Sequence, residues 1–252
     1  MEKILKGILR YRQTYKAGMV KQFEKIRDNP QPKALAFCCM DSRVLPTRFT
    51  QTDVGDMFLV RNAGNLVPHH KHHGYTHITT EPAALELACV IGGIKHVIVC
   101  GHSDCKAMNA LYGLRETAHI HEGTPLQLWL KKHATSSLEK LEKLEQIGSR
   151  EPLVFQGESD KHTLNAFIDP ENQFAITDKL SMINTLQQIQ NISSHPFLAD
   201  GLINETVRLH AMWFDIYTGD VYLFNRPHQR FMVVDENSVD EVFLKDQMLV
   251  GE

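Results

Sequence analysis

The sequence predicts an α/β fold, a parallel β-sheet core flanked by helices, with an N-terminal helical arm and a C-terminal strand and hairpin. Three observations predict it. Ala34-Leu35-Ala36-Phe37-Cys38 and His96-Val97-Ile98-Val99-Cys100 are short continuous apolar runs, the pattern of strands buried on both faces. Between them a helical stretch is opened by Pro82 and stopped by Gly92-Gly93, and a strand–helix–strand unit of this kind pairs its strands in parallel with a right-handed crossover. Near the C-terminus, apolar runs over 207–214 and 221–224 flank the turn-forming Tyr217-Thr218-Gly219-Asp220.

Taken in order, the chain begins with apolar residues at helical spacing, Ile4, Leu5, Ile8, Tyr11 and Tyr15, continued by Met19, Val20, Phe23 and Ile26. This predicts one helix over 1–26, ended by Asp28-Asn29-Pro30-Gln31-Pro32. Residues 1–32 are read as the arm and 33–252 as a single α/β domain. The first twenty residues set Glu2 against Lys3, Lys6, Arg10, Arg12 and Lys16. That is the composition of a mitochondrial transit helix, or of an amphipathic helix packing on the body or a partner subunit. The unbroken apolar pattern favours the second reading.

Residues 56–60 read as a second strand and Arg61-Asn62-Ala63-Gly64-Asn65 as a polar turn. His69, His70, His72, His73 and His77 crowd one loop, read as solvated because no cysteine or carboxylate joins them at a defined spacing. In the helix after Pro82, Ala84, Leu85, Ala88 and Cys89 form the apolar face. Ser103 is expected to cap a helix over 104–112, placing Cys105 in a first turn that favours a thiolate. Residues 115–124 read as a loop, 126–147 as a charged helix with mostly a solvated face, and 151–175 as unassigned. Residues 178–193 read as a helix with Leu180, Ile183 and Leu186 on one face, and 231–234 as a further strand.

A formal charge of −3 and the lack of a basic stripe argue against a nucleic-acid surface. No apolar run is long enough to span a bilayer, and no signal-peptide pattern opens the chain. The five cysteines, an odd number without disulfide-framework spacing, fit a reducing intracellular compartment, mitochondrial matrix or cytoplasm.

The chemistry is concentrated in Cys39-Met40-Asp41-Ser42-Arg43 and Gly101-His102-Ser103-Asp104-Cys105, each directly after an apolar strand. Ligands of open α/β sheets bind beyond the carboxyl ends of strands. Cys39, His102 and Cys105 offer zinc two sulfurs and a nitrogen. Asp41 either takes the fourth position or is held by Arg43 in a charge-assisted pair. Two thiolates already cancel the dication, so catalysis is expected to need Asp41 off the metal, with activity rising with pH as it exchanges for water. A purely structural zinc site, and a hydrolase using Cys39 or Cys105 with His102 as its nucleophile and base, are the alternatives.

The two motifs, with Arg61-Asn62-Ala63-Gly64-Asn65-Leu66-Val67-Pro68 and Glu81-Pro82-Ala83-Ala84-Leu85-Glu86, resemble the β-class carbonic anhydrases and most closely their animal members, which are often mitochondrial. The resemblance implies a zinc lyase that hydrates carbon dioxide reversibly to bicarbonate and a proton by attack of zinc-bound hydroxide. It implies metal ligation by Cys39, His102 and Cys105, with Asp41 on or off the metal, and Asp41 with Arg43 as the catalytic dyad orienting or gating the fourth position. It also implies a homodimer embraced by the N-terminal helix, an active site near the subunit interface, and association of dimers. The same zinc site hydrating carbon disulfide or carbonyl sulfide is a close variant of this reading. Phe58 and Leu87 are expected to line an apolar pocket, and His119, His121 and the 69–77 cluster are candidate proton shuttles. The chain departs from the family at four places: Lys106-Ala107 replaces a Gly-Gly of plant-type members, Leu87 stands where a pocket aromatic does, Pro30 where a glutamine donor does, and Ala36 where a bacterial subgroup has the tryptophan of a regulatory bicarbonate pocket.

Overall fold

The structure, a computed structural model, describes residues 1–73, 79–117, 122–158 and 162–239. Its strands are β1 (Ala34–Cys39), β2 (Met57–Asn62), β3 (His96–His102), β4 (Leu153–Phe155), β5 (Leu164–Ala166), β6 (Arg208–Phe214), β7 (Val221–Asn225) and β8 (Arg230–Val233). The main sheet has six strands in the order β2-β1-β3-β6-β7-β8. The first four pair in parallel and the last two join antiparallel, as the turn at 217–220 predicts. Every residue of β1 is buried, which is why its sequence reads as an unbroken apolar run. Strand order reverses around β1, with β2 on one side and β3 on the other. A crevice therefore opens at the carboxyl ends of β1 and β3, the usual place for a ligand in such sheets.

The helices are α1 (Glu2–Thr14), α2 (Lys16–Ile26), α3 (Pro46–Phe49), α4 (His70–His73), α5 (Thr80–Leu85), α6 (Lys106–Tyr112), α7 (Pro125–Ile147), α8 (Ile176–Ser193) and α9 (Ala199–Ile203). The N-terminal helix is two helices broken at Tyr15 rather than one, and neither buries a residue within the chain. Ile4, Leu5, Ile8 and Leu9 stay exposed. A π-helical turn, Glu86–Ile91, follows α5 and leaves Leu87, Val90 and Ile91 exposed while Ala88 and Cys89 face inward. No helix among the described residues is long and apolar enough to cross a membrane.

Three further readings change. The charged helix α7 is not mostly solvated: Leu130, Ala134, Leu138, Leu141 and Leu144, spaced three and four apart, form a buried stripe packed on α8. Residues 151–175, which carry no clear periodicity, hold the short antiparallel pair β4–β5. The third concerns α8, which is buried on all sides rather than along one apolar face. Its polar side chains hold the segment after β2: Asn184 Nδ2 donates to the Gly64 carbonyl (2.9 Å), Val67 N–H to Gln188 Oε1 (2.8 Å), and Asn191 Nδ2 to the Val67 carbonyl (2.8 Å). These bonds satisfy loop backbone that burial would otherwise strand without partners.

The approach of α8 to β3 depends on Gly101, where a Cβ would collide with Thr185 Oγ1 and lie 3.3 Å from the Ser181 carbonyl. Gly101→Ala is expected to destabilise the fold by about 1–3 kcal/mol, the usual consequence of overpacking, read as a lower urea midpoint at constant slope. His195 follows α8 and is buried, its Nε2–H donating to the Pro68 carbonyl at 3.1 Å. Burial lowers its pKa from the ordinary 6.5 to about 4. The unfolded chain then binds this proton near pH 6.5 and the folded chain only near 4. Stability falls as pH drops through that window, by on the order of 3 kcal/mol, and is flat above it. Urea melts at pH 7.5 and 4.5 check this, since a His195→Asn variant should lose that share of the acid sensitivity.

Candidate metal centre

Cys39 is the last residue of β1 and His102 the last of β3, so neighbouring central strands deliver both to the crevice. Cys105 arrives three residues later as the N-cap of α6. Ser103, expected in that capping role, is buried and turned elsewhere: its hydroxyl donates to Asp215 Oδ1 (2.7 Å) and accepts the Ile216 N–H (2.8 Å). The donor atoms of Cys39, His102 and Cys105 all lie within 4.8 Å of one another, and the two sulfurs are 3.8 Å apart. All three residues are buried.

This group fits a thiophilic dication on two counts. His102 Nδ1–H donates to the Ser103 carbonyl at 2.8 Å, leaving Nε2 with its lone pair. Nε2 is buried with no hydrogen-bond partner among the described residues, an expensive arrangement unless something accepts that lone pair. The sulfurs tell the same story. A hydrogen bond from the Cys105 thiol, helped by the N–H groups of Gly64 and Asp41, lowers the Cys39 thiol to about 4 despite burial. The bond to Cys39, then burial, pushes Cys105 well above the ordinary thiol range. Two buried sulfurs this close do not both ionise on their own, and a dication between them allows it. Three protein donors of S, S and N type leave a fourth tetrahedral position, the composition of catalytic rather than closed zinc sites.

Asp41 stands outside that group of donor atoms. Its Oδ1 accepts Arg43 Nε and the Arg43 backbone N–H, each at 2.9 Å, and its Oδ2 accepts Nη2 at 2.7 Å. The Arg43 hydrogen bonds hold the Asp41 carboxyl well below the usual carboxylate range, and Asp41 in turn raises Arg43. Sequence reasoning assigned no role to two neighbours. Arg61 donates to the carbonyls of Cys39 (3.0 Å), Asp41 (2.7 Å) and Val44 (2.8 Å), fixing the turn after β1. It lies in β2, which runs on through Asn62 instead of turning at Arg61. Asp104, lowered to about 2 chiefly by Arg43 and Lys106, is a second carboxylate on Arg43. An arginine in an expected turn and an acid beside a lysine both read as solvent-facing, so only their motif positions could have marked them. Phe58 and Leu87 are exposed. His77, His119 and His121 lie outside the described residues, as do the side chains of His72 and His73.

Comparison with known proteins places this geometry. The family described as carbonic anhydrase matches residues 34–221, a span that includes both motif loops. The chain is 49% identical to beta carbonic anhydrase 1 of Caenorhabditis briggsae, covering 95% of this chain and 90% of that protein. It is 47% identical to beta carbonic anhydrase 1 of Caenorhabditis elegans, covering 96% and 91%. The solved structure of the β-carbonic anhydrase CcaA superposes with a TM-score of 0.73 at 27% identity, over 96% of this chain and 97% of that one. Likeness of this extent, running through the strands that carry the donor atoms, makes the chain a member of the β-class carbonic anhydrases, the enzymes that hydrate carbon dioxide.

Proposed function

We propose that this chain holds zinc through Cys39, His102 and Cys105 and uses Asp41 and Arg43 to hydrate carbon dioxide reversibly to bicarbonate. The buried S, S, N cluster with its unpartnered imidazole nitrogen carries this reading. Zinc held there supplies a Lewis acid that brings a water's pKa down towards neutrality.

The chain's own residues do the rest. Arg43 keeps Asp41 ionised across the working range, so the carboxylate only accepts hydrogen bonds. Asp41 Oδ1 already takes two N–H donors while Oδ2 takes one. Oδ2 therefore keeps a lone pair for the attacking water, and accepting its hydrogen aims the water's other lone pair at the carbon of carbon dioxide. Arg43 holds that acceptor in place, and Arg61 holds the turn that carries it. This favours Asp41 as an orienting group off the metal, with gating of the fourth position as its second role.

We assign residues 1–32 to an arm and 33–252 to one domain, working as a homodimer. Three sets of exposed apolar residues support the dimer: those of α1, Leu87, Val90 and Ile91 of the π-helical turn, and Phe58 and Leu59 of edge strand β2. A partner covering the last two sets would give Phe58 and Leu87 the dry surroundings that a nonpolar gas prefers. Dimers join further through the remaining surface, as in the tetrameric β-carbonic anhydrases of Sordaria macrospora, which share this fold. The free state of all five cysteines supports the mitochondrial matrix or cytoplasm as the compartment. Zinc content and stopped-flow hydration rate, measured on one preparation before and after chelation, test the central reading.

A further inference from the structure

Asp104 sits between two of the metal donors, and its role is not apparent from either motif. Its Oδ2 accepts Arg43 Nη1 at 2.8 Å, and its carbonyl accepts Arg43 Nη2 at 3.0 Å. Arg43 Nε and the same Nη2 go to Asp41. Four of the five guanidinium N–H donors are thus shared between carboxylate residues of the two motif loops. Asp104 is itself firmly held. Its N–H donates to Asp178 Oδ1 at 2.7 Å, and its Oδ1 accepts Lys106 Nζ (2.9 Å) and Asn109 Nδ2 (3.0 Å). Its backbone lies at φ 47°, where aspartate, asparagine and glycine are the residues most at ease.

We propose that Asp104 is a positioning residue for the hydration reaction: it pins the Arg43 guanidinium so that Asp41 stays parked on it and away from the fourth position of the metal. This rests on the zinc site proposed above. The Arg43 side chain is 40% exposed, and an ion pair between two residues of one exposed turn is worth little when nothing fixes the arginine. Alone, such a pair is a poor rival to a dication for the same carboxylate. Anchored by two further bonds from a rigid loop, the guanidinium arrives already ordered, and Asp41 must break three hydrogen bonds to leave.

The test uses the full-length chain as wild type, Asp104→Gly, Asp104→Asn, Asp41→Asn and the double variant D41N/D104G. Glycine and asparagine both suit the backbone, but only asparagine keeps an oxygen for Arg43. Each protein is assayed for zinc, then loaded with Co²⁺ for visible absorption, which reports the atoms bound to the metal. Asp104→Gly should retain the metal, lose ~10-fold in kcat/KM, and change its cobalt spectrum as Asp41 moves onto the ion. Asp104→Asn should keep the wild-type spectrum, and D41N/D104G should match Asp41→Asn alone. A D104G spectrum identical to wild type, or a change that survives in the double variant, overturns the proposal. A wild-type chain that binds no zinc instead sinks the metal site, and this proposal with it. If the glycine variant melts far below the others, its spectrum and rate are taken at a temperature well below its own transition, under the same criteria.

Discussion

His102→Ala should lose zinc and carbon dioxide hydration together, with hydration falling by on the order of 10³-fold or more to near the uncatalysed rate. Nε2 is the one nitrogen among the three donors, and its Nδ1–H is already committed to the Ser103 carbonyl. No other side chain of the described donor cluster can replace it. Loss of an outer-shell partner alone typically weakens metal binding by about 10–100-fold, and loss of a direct ligand should exceed that. The two remaining thiols would then return to sharing a proton. Thiol alkylation gives an independent check, since the metal should protect Cys39 and Cys105 in the wild type but not in the variant. His102 is fully buried, so circular dichroism must show that the variant folds. A folded, zinc-free protein with undiminished hydration would remove the basis for the metal assignment.

Asp41→Asn should separate the two halves of the site. Zinc content is expected to stay near one ion per chain, because Asp41 lies outside the cluster of donor atoms. Turnover should fall by ~10²-fold or more, the usual scale for a group that directs a proton in the rate-limiting step. Asparagine keeps the shape and one carbonyl oxygen, but its amide nitrogen cannot accept from Arg43 Nη2 or from the attacking water. The substitution thus turns an acceptor into a donor at one corner of the pocket while leaving its size unchanged. Stopped-flow hydration alongside metal analysis reads the result. Zinc-replete protein with wild-type turnover would remove Asp41 from the mechanism and leave Arg43 a structural residue.

The parallel sheet and the gathering of Cys39, His102 and Cys105 were both legible in the sequence, for related reasons. Buried parallel strands leave continuous apolar runs, and donors at their carboxyl ends follow those runs directly, as Cys39 follows Phe37-Cys38. What escaped was polar and long-range. Asn184, Gln188 and Asn191 look like the wet face of α8, yet they support the loop at Gly64 that faces the Cys39 sulfur. Nothing local distinguishes an amide that meets water from one that meets a distant backbone. The break at Tyr15 escaped because apolar spacing continues through it, and α7 was misjudged because its charged residues outnumber the leucines that face inward.

The placement of Cys39 and His102 at the ends of adjacent strands has a further consequence. Hydrogen-bonded neighbours in a sheet are held about 4.8 Å apart, a spacing set by the peptide backbone and indifferent to side-chain identity. The register sets Cys38 opposite Cys100, so His102 stands one residue beyond the level of Cys39, and the reach between sulfur and imidazole follows from that offset across one strand spacing, leaving Cys105 to be placed by the start of a helix. Side chains lining the crevice elsewhere can change without altering that offset, whereas a slip of β1 against β3 would change it and draw the two donors apart.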